Sequence, residues 1–315
     1  ITINGDLIVD VLPDPADTGP IFLTEGGDIG AINVTGSVSA PFDENTAAAI
    51  QSAADIGILS VEGAEAEVKI EGAGADGAIE GISVPNGSVT IQLEGLDVRD
   101  EDPTLVAEVT ADTILELLID GALEGDVTAT DIDVLEIGSL LADEVSVIQA
   151  TGGDIDEFLL HDSLTAANGQ LVASGNIGTA SSASTIVVEG SLDGDDASQG
   201  INFTTPILQA GGNVGIITVG TDDPGEVLGG YFATGGALTG FDLSALDSAS
   251  AEVQDLLIGG NLGSPGIALL GQLPVSEVEV TGDLLGTLSA VDMPEPIVVG
   301  GTVSGTVESE AGIAS

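Results

Sequence analysis

The chain contains no cysteine and no tryptophan, and it has almost no basic residue: 2 Lys+Arg stand against 53 Asp+Glu in 315 residues. Each absence excludes something. Without cysteine there is no disulfide framework, no zinc–thiolate site and no thiol nucleophile. Without a basic patch the chain has nothing to displace the counterions of nucleic-acid phosphate, and anionic lipid headgroups and acidic polysaccharides are repelled for the same reason. One tyrosine and six phenylalanines complete the aromatic inventory. A core ~10 Å thick between two packed sheets usually draws on large rings, so a β-sandwich is disfavoured. No apolar run approaches the ~18 residues that a membrane-spanning helix requires.

What is present is aliphatic. The formal net charge is -51, yet the sequence is 43% hydrophobic with a mean hydropathy of +0.42. Charge of that size signals disorder only when hydrophobicity is low, so this chain is expected to fold. Lys69 and Arg99 are too few to offset the carboxylates, and screening salt or bound cations must do so. The first residue is Ile1 with no charged and apolar leader before it, which gives the expectation of a mature, exported protein at the cell surface or outside the cell.

One short phrase recurs: a small residue, Asp or Asn, an aliphatic residue, and often Gly. It appears as Gly5-Asp6-Leu7, Gly27-Asp28-Ile29-Gly30, Ala54-Asp55-Ile56-Gly57, Gly153-Asp154-Ile155, Gly175-Asn176-Ile177-Gly178, Gly212-Asn213-Val214-Gly215, Gly260-Asn261-Leu262-Gly263 and Gly282-Asp283-Leu284. The shortest spacing, Asp154 to Asn176 and Asn261 to Asp283, sets a period near 22 residues, and the longer spacings are near-multiples or contain insertions. A second phrase alternates aliphatic and polar residues and closes on Gly, as in Ile32-Asn33-Val34-Thr35-Gly36, Leu59-Ser60-Val61-Glu62-Gly63, Ile91-Gln92-Leu93-Glu94-Gly95 and Val278-Glu279-Val280-Thr281-Gly282. These read as strands of three to five residues with the aliphatic face inward, ended by a glycine free to take positive φ.

Fixed-period self-similarity with Gly and Asx at corners predicts an all-β parallel β-helix, or β-solenoid, of short strands with ~22-residue coils and small helical or loop insertions. Ile32, Val34, Leu59, Val61, Ile91, Leu93, Ile217, Val219, Val278 and Val280 are expected inside. Corner Asn and Asp are expected to bond their own backbone or take left-handed geometry. The competing arrangement is a string of sandwich domains of about 100 residues. Residues 41–54 and 248–257 are candidate helical insertions. Residues 1–20 read as an N-terminal strand, Ile1 to Val9, followed by a linker with Pro13, Pro15 and Pro20; residues 21–315 read as one solenoid domain. Held apart in this way, the first strand is either an arm that completes a neighbour's sheet or a strand that folds back on its own first coil.

Chemistry-bearing residues are few. His161 has only its sequence neighbour Asp162 as a visible partner and defines no triad. A uronate lyase needs a basic residue; Lys69 lies between Glu67 and Glu71, where pairing with those acids is the plainer role. A glycosidase needs two placed carboxylates and aromatic platforms, and the platforms are almost absent. Hard oxygen ligands for Ca²⁺ are abundant: Asp97, Asp100 and Asp102; Asp131 and Asp133; Asp154 and Asp156; Asp193, Asp195 and Asp196. None follows an EF-hand or nonapeptide calcium pattern, and a solvated acidic face is the competing account. Glycosylation sequons begin at Asn33, Asn86 and Asn202.

On the phrases Gly27-Asp28-Ile29-Gly30 and Ile32-Asn33-Val34-Thr35-Gly36, the chain resembles repetitive β-solenoid cell-surface and extracellular fibre proteins of bacteria and archaea. That resemblance implies an architecture and a location, and no functional residue. The leading expectation is a non-enzymatic secreted structural protein, a filament or surface-layer subunit whose partner is itself through head-to-tail strand contacts. The alternatives are a calcium-dependent adhesin or carbohydrate-binding module, and a β-helix glycosidase.

Overall fold

The computed structural model describes residues 1–8, 22–23, 28–42, 48–52, 54–72, 78–94, 96–98, 107–141, 145–178, 186–193, 205–220, 227–242, 252–263, 277–290 and 297–309. Within them every regular element is a strand, no helix occurs, and the strands pair in parallel. The chain divides into two compact units, Ile1–Thr151 and Gly152–Ser315.

In the first unit, successive passes of the chain lay like side chain on like. Ile32 pairs with Leu59, Leu59 with Ile82, Ile82 with Val109, Val109 with Val127 and Val127 with Ile148. A second column runs Ile29, Ile56, Ile79, Val98, Leu123 and Leu140, and a third runs Ile50, Ile70, Leu93, Ile119 and Ile137. All of these side chains are buried. Because alternate residues of a strand point to opposite faces, one aliphatic face per strand is sufficient to build each column, and β-branched residues suit it. Each buried Ile, Leu or Val contributes roughly 1.5–3 kcal/mol of transfer free energy, so a column is worth far more than any surface ion pair here.

The second unit repeats the arrangement. Ile155, Ile177, Val214, Leu238, Leu262, Leu284 and Val303 form one column, and Leu171, Leu208, Phe232, Ile258, Val280 and Val299 another. A third column places Phe158 on Ile186, Ile186 on Ile217 and Ile217 on Phe241. Phe232 and Phe241 meet edge to face with ring centroids 5.4 Å apart, so two of the few rings are spent on each other.

All the residues expected inside, from Ile32 to Val280, are buried. Other expectations are corrected. Of the 41–54 helix, Ile50–Ser52 is a strand on Ile70–Gly72, while residues 43–47 and 53 lie outside the described ones. Of the 248–257 helix, Glu252–Ile258 is a strand, with residues 248–251 outside. Strands are not all short: Gly81–Glu94 and Ala107–Leu123 run through 14 and 17 residues, with register shifts where the ladder bends. The first strand is not held apart: Thr2–Ile3 pairs with Asn33–Val34, Leu7–Ile8 with Val38–Ser39, and the Ile1 amino group donates to the Ala31 carbonyl at 2.6 Å. The proline linker of residues 10–20 lies outside the described residues.

Candidate functional site: the Asx–glycine ladder

The residues that mark the repeat converge on one structural device. In the second unit, Asp154 Oδ1 accepts the backbone N–H of Asn176 at 2.6 Å, Asn176 Oδ1 that of Asn213 at 2.9 Å, and Asn213 Oδ1 that of Ala237 at 3.0 Å. Further on, Asn261 Oδ1 accepts from Asp283 at 2.8 Å and Asp283 Oδ1 from Thr302 at 2.6 Å. In the first unit Asp6 serves Ser37, Asp55 serves Ala78 and Asp126 serves Val147. Each side chain reaches across to the next pass and satisfies an N–H at or beside the start of a strand. These Asx oxygens bond the backbone of the next pass, and among the described residues none other than glycine has positive φ.

At four corners a glycine leaves room for the Asx side chain of the preceding pass. A Cβ on Gly175 would strike the Asp154 carboxylate; on Gly212, the Asn176 amide; on Gly282, the Asn261 amide; on Gly301, the Asp283 carboxylate. These glycines also stack through their backbones, Gly175 N–H on Gly153 O at 2.8 Å, Gly212 on Gly175 at 2.7 Å and Gly236 on Gly212 at 2.8 Å. Clearance, not left-handed backbone, is what the phrase requires at those positions. Among the described residues positive φ falls on other glycines: Gly178 at φ 66 and Gly263 at φ 85 close the phrase, and Gly5 at φ 124 and Gly125 at φ 132 precede Asp6 and Asp126.

Serine performs the Asx task at some corners. Ser37 donates its N–H to Asp6, and its hydroxyl accepts the Ala64 N–H at 3.1 Å; Ser163 accepts from Ser191 at 2.9 Å, and buried Ser146 from Gly125 at 3.1 Å. These were missed from sequence, as was Asp126, although Gly125-Asp126-Val127 carries the repeated phrase.

Of the expected metal ligands, the described ones lie in separate short groups along the strands. Asp131 and Asp133 flank buried Ile132 on the outer face of strand Asp131–Leu140, and Asp154 and Asp156 flank buried Ile155. Asp154 is engaged in the ladder; Asp193 ends the short strand Leu192–Asp193, and its carbonyl accepts the Ala166 N–H at 2.9 Å. Asp97 lies in strand Asp97–Val98, while Asp100, Asp102, Asp195 and Asp196 are outside the described residues. Among the described residues no three carboxylate or histidine side chains converge. Partial burial, then the Asp131 charge, holds the Asp133 carboxyl above the ordinary Asp range; burial, then Glu65, does the same to Glu67.

The two other groups singled out find partners one pass away. Lys69, 4% exposed, pairs with Glu94 at 2.7 Å instead of Glu67 or Glu71, and Gln92 also donates to Glu94 at 3.1 Å. His161 Nδ1 lies 2.7 Å from Glu189 Oε2, while Asp162 accepts the Ser163 N–H. Sequons Asn33 and Asn86 are exposed; Asn202 is outside the described residues. No known protein-family model, curated protein or solved structure matches the chain.

Proposed function

We propose that each unit is a parallel β-solenoid and that the chain is a secreted structural protein without catalytic activity, a subunit of an extracellular filament or surface layer that self-associates through strand contacts. The supporting observation is the stacking of like on like: a column such as Ile177, Val214, Leu238 and Leu262 runs from pass to pass with every member buried. Units that bury their apolar face only against the neighbouring pass are the pattern of a solenoid. The repeat's own side chains support the same reading, because Asp, Asn and Gly of the phrase are consumed in joining pass to pass.

Association of copies at -51 each is opposed by repulsion, so it depends on screening. Sedimentation of the purified chain across a range of concentration and salt tests the reading. Growth of mass with both variables is expected, and a monomer under every condition refutes it.

A further inference from the structure

We propose that the outward face of the second unit around Tyr231 binds an uncharged carbohydrate. Such binding does not depend on self-association.

Register builds the face. Val172, Gln209 and Ala233 stack in one outward column, and Tyr231, Leu257, Glu279 and Val298 form a second, on successive passes of the chain. Passes lie ~4.8 Å apart, so the two columns make a strip of side chains at regular intervals. Every one of these residues is at least partly exposed, and Gln209 and Val298 are exposed outright.

Charge narrows the choice of ligand. Segments 170–173, 207–210, 231–234, 257–260, 279–282 and 298–301 carry one charged residue, Glu279. In the first unit the strand Glu65–Gly72 alone carries Glu65, Glu67 and Glu71. An anionic ligand is repelled by a chain of net charge -51, and a cationic one is drawn to the denser carboxylates elsewhere. What remains for a nearly neutral strip is an uncharged ligand.

The side chains specify its class. Tyr231 is the one tyrosine of the chain, and its ring reaches across to the next pass: a Cβ on Gly259 would lie 2.9 Å from Tyr231 Cε2 and 3.0 Å from Oη. Gly259 therefore gives the ring its place, as Gly212 does for the Asn176 amide. A ring positioned before the ligand arrives lowers the ordering cost of binding. The ring, Leu257 and Val172 suit the C–H faces of a pyranose. The Gln209 amide, the Glu279 carboxylate and the hydroxyl of Thr281, which follows Gly259 on the next pass, suit sugar hydroxyls, which both donate and accept.

With no tryptophan and one tyrosine, the chain reports on this strip by its own fluorescence. The full-length chain is titrated with neutral oligosaccharides of β-linked glucose, β-linked N-acetylglucosamine and α-linked glucose, and is sedimented with the matching insoluble polymers. A saturable change in tyrosine emission and retention on the polymer are expected for at least one series, and neither is expected with alginate. Tyr231→Ala is expected to weaken retention by about tenfold, while Tyr231→Phe keeps the ring and most of the retention. Circular dichroism checks that both variants are folded. Absence of a response across these series overturns the proposal, and so does retention that Tyr231→Ala leaves unchanged. An emission change that follows protein concentration and not sugar also overturns it, and gives the strip to a second copy.

Discussion

Asn176 and Asn213 lie 37 residues apart, yet the Asn176 side chain accepts the Asn213 backbone N–H at 2.9 Å, and Ile177 bridges to Val214 beside them. One pass of the chain can therefore absorb a large insertion while the corner chemistry stays in place. The same bond closes over 22 residues between Asp154 and Asn176 and over 19 between Asp283 and Thr302.

If the side-chain oxygen is what matters, Asn213→Ala lowers stability by about 0.5–1.5 kcal/mol, the net worth of one hydrogen bond at an exposed corner. Asn213→Asp keeps the acceptor and loses less at high salt. Denaturant midpoints of the two variants separate them, and equal losses argue against the ladder.

Clearance at Gly212 is tested by a cycle. Gly212→Ala forces the methyl group into the Asn176 amide, whereas Gly30→Ala meets nothing within 4 Å and serves as the mild control. Combining Gly212→Ala with Asn176→Ala relieves the clash, so the two are expected to be non-additive by about 0.5–3 kcal/mol. Simple additivity in equilibrium unfolding contradicts the shared role.

Lys69 and Glu94 should respond unequally. Removing the Glu94 carboxylate leaves a buried ammonium without its partner, a loss of about 1–3 kcal/mol after allowing for the 37% exposure of the glutamate side chain. Lys69→Met replaces the ammonium with an apolar group of similar length and is expected to be close to neutral. Thermal unfolding of Glu94→Ala and Lys69→Met decides it; an equal loss in both contradicts this asymmetry.

Asp133 provides the pH dependence. Its carboxyl titrates above the ordinary 3.8 in the folded chain, so between that value and the folded one the native state holds more protons than the unfolded state. This contribution to stability is complete below the unfolded value and is lost as pH rises through the folded one. Asp133→Asn is therefore expected to melt higher than wild type at neutral pH, with the gap closing on acidification. A gap that is independent of pH rejects the assignment.

Much of this architecture was legible because its period is written in side chains. The alternation of Ile32-Asn33-Val34 and Val278-Glu279-Val280 identifies the inward face, and the Gly-Asx phrase identifies the corners. What the phrase does was not legible, since the partner of Asp154 is an N–H 22 residues away and local rules point to its own backbone. The misread helices have a similar origin: Ala48 and Ala49 favour a helix locally, but Ile50 gains a place in the column above Ile70. Lys69 was given the wrong acids because Glu67 and Glu71 are its chain neighbours, whereas Glu94 comes from the strand laid beside it.

The central claim is that copies of the chain associate through strand contacts. Electron microscopy of the full chain across a range of salt tests it most directly. The account expects filaments or rings at raised salt and dispersed particles at low salt. Isolated particles at every salt concentration would contradict it.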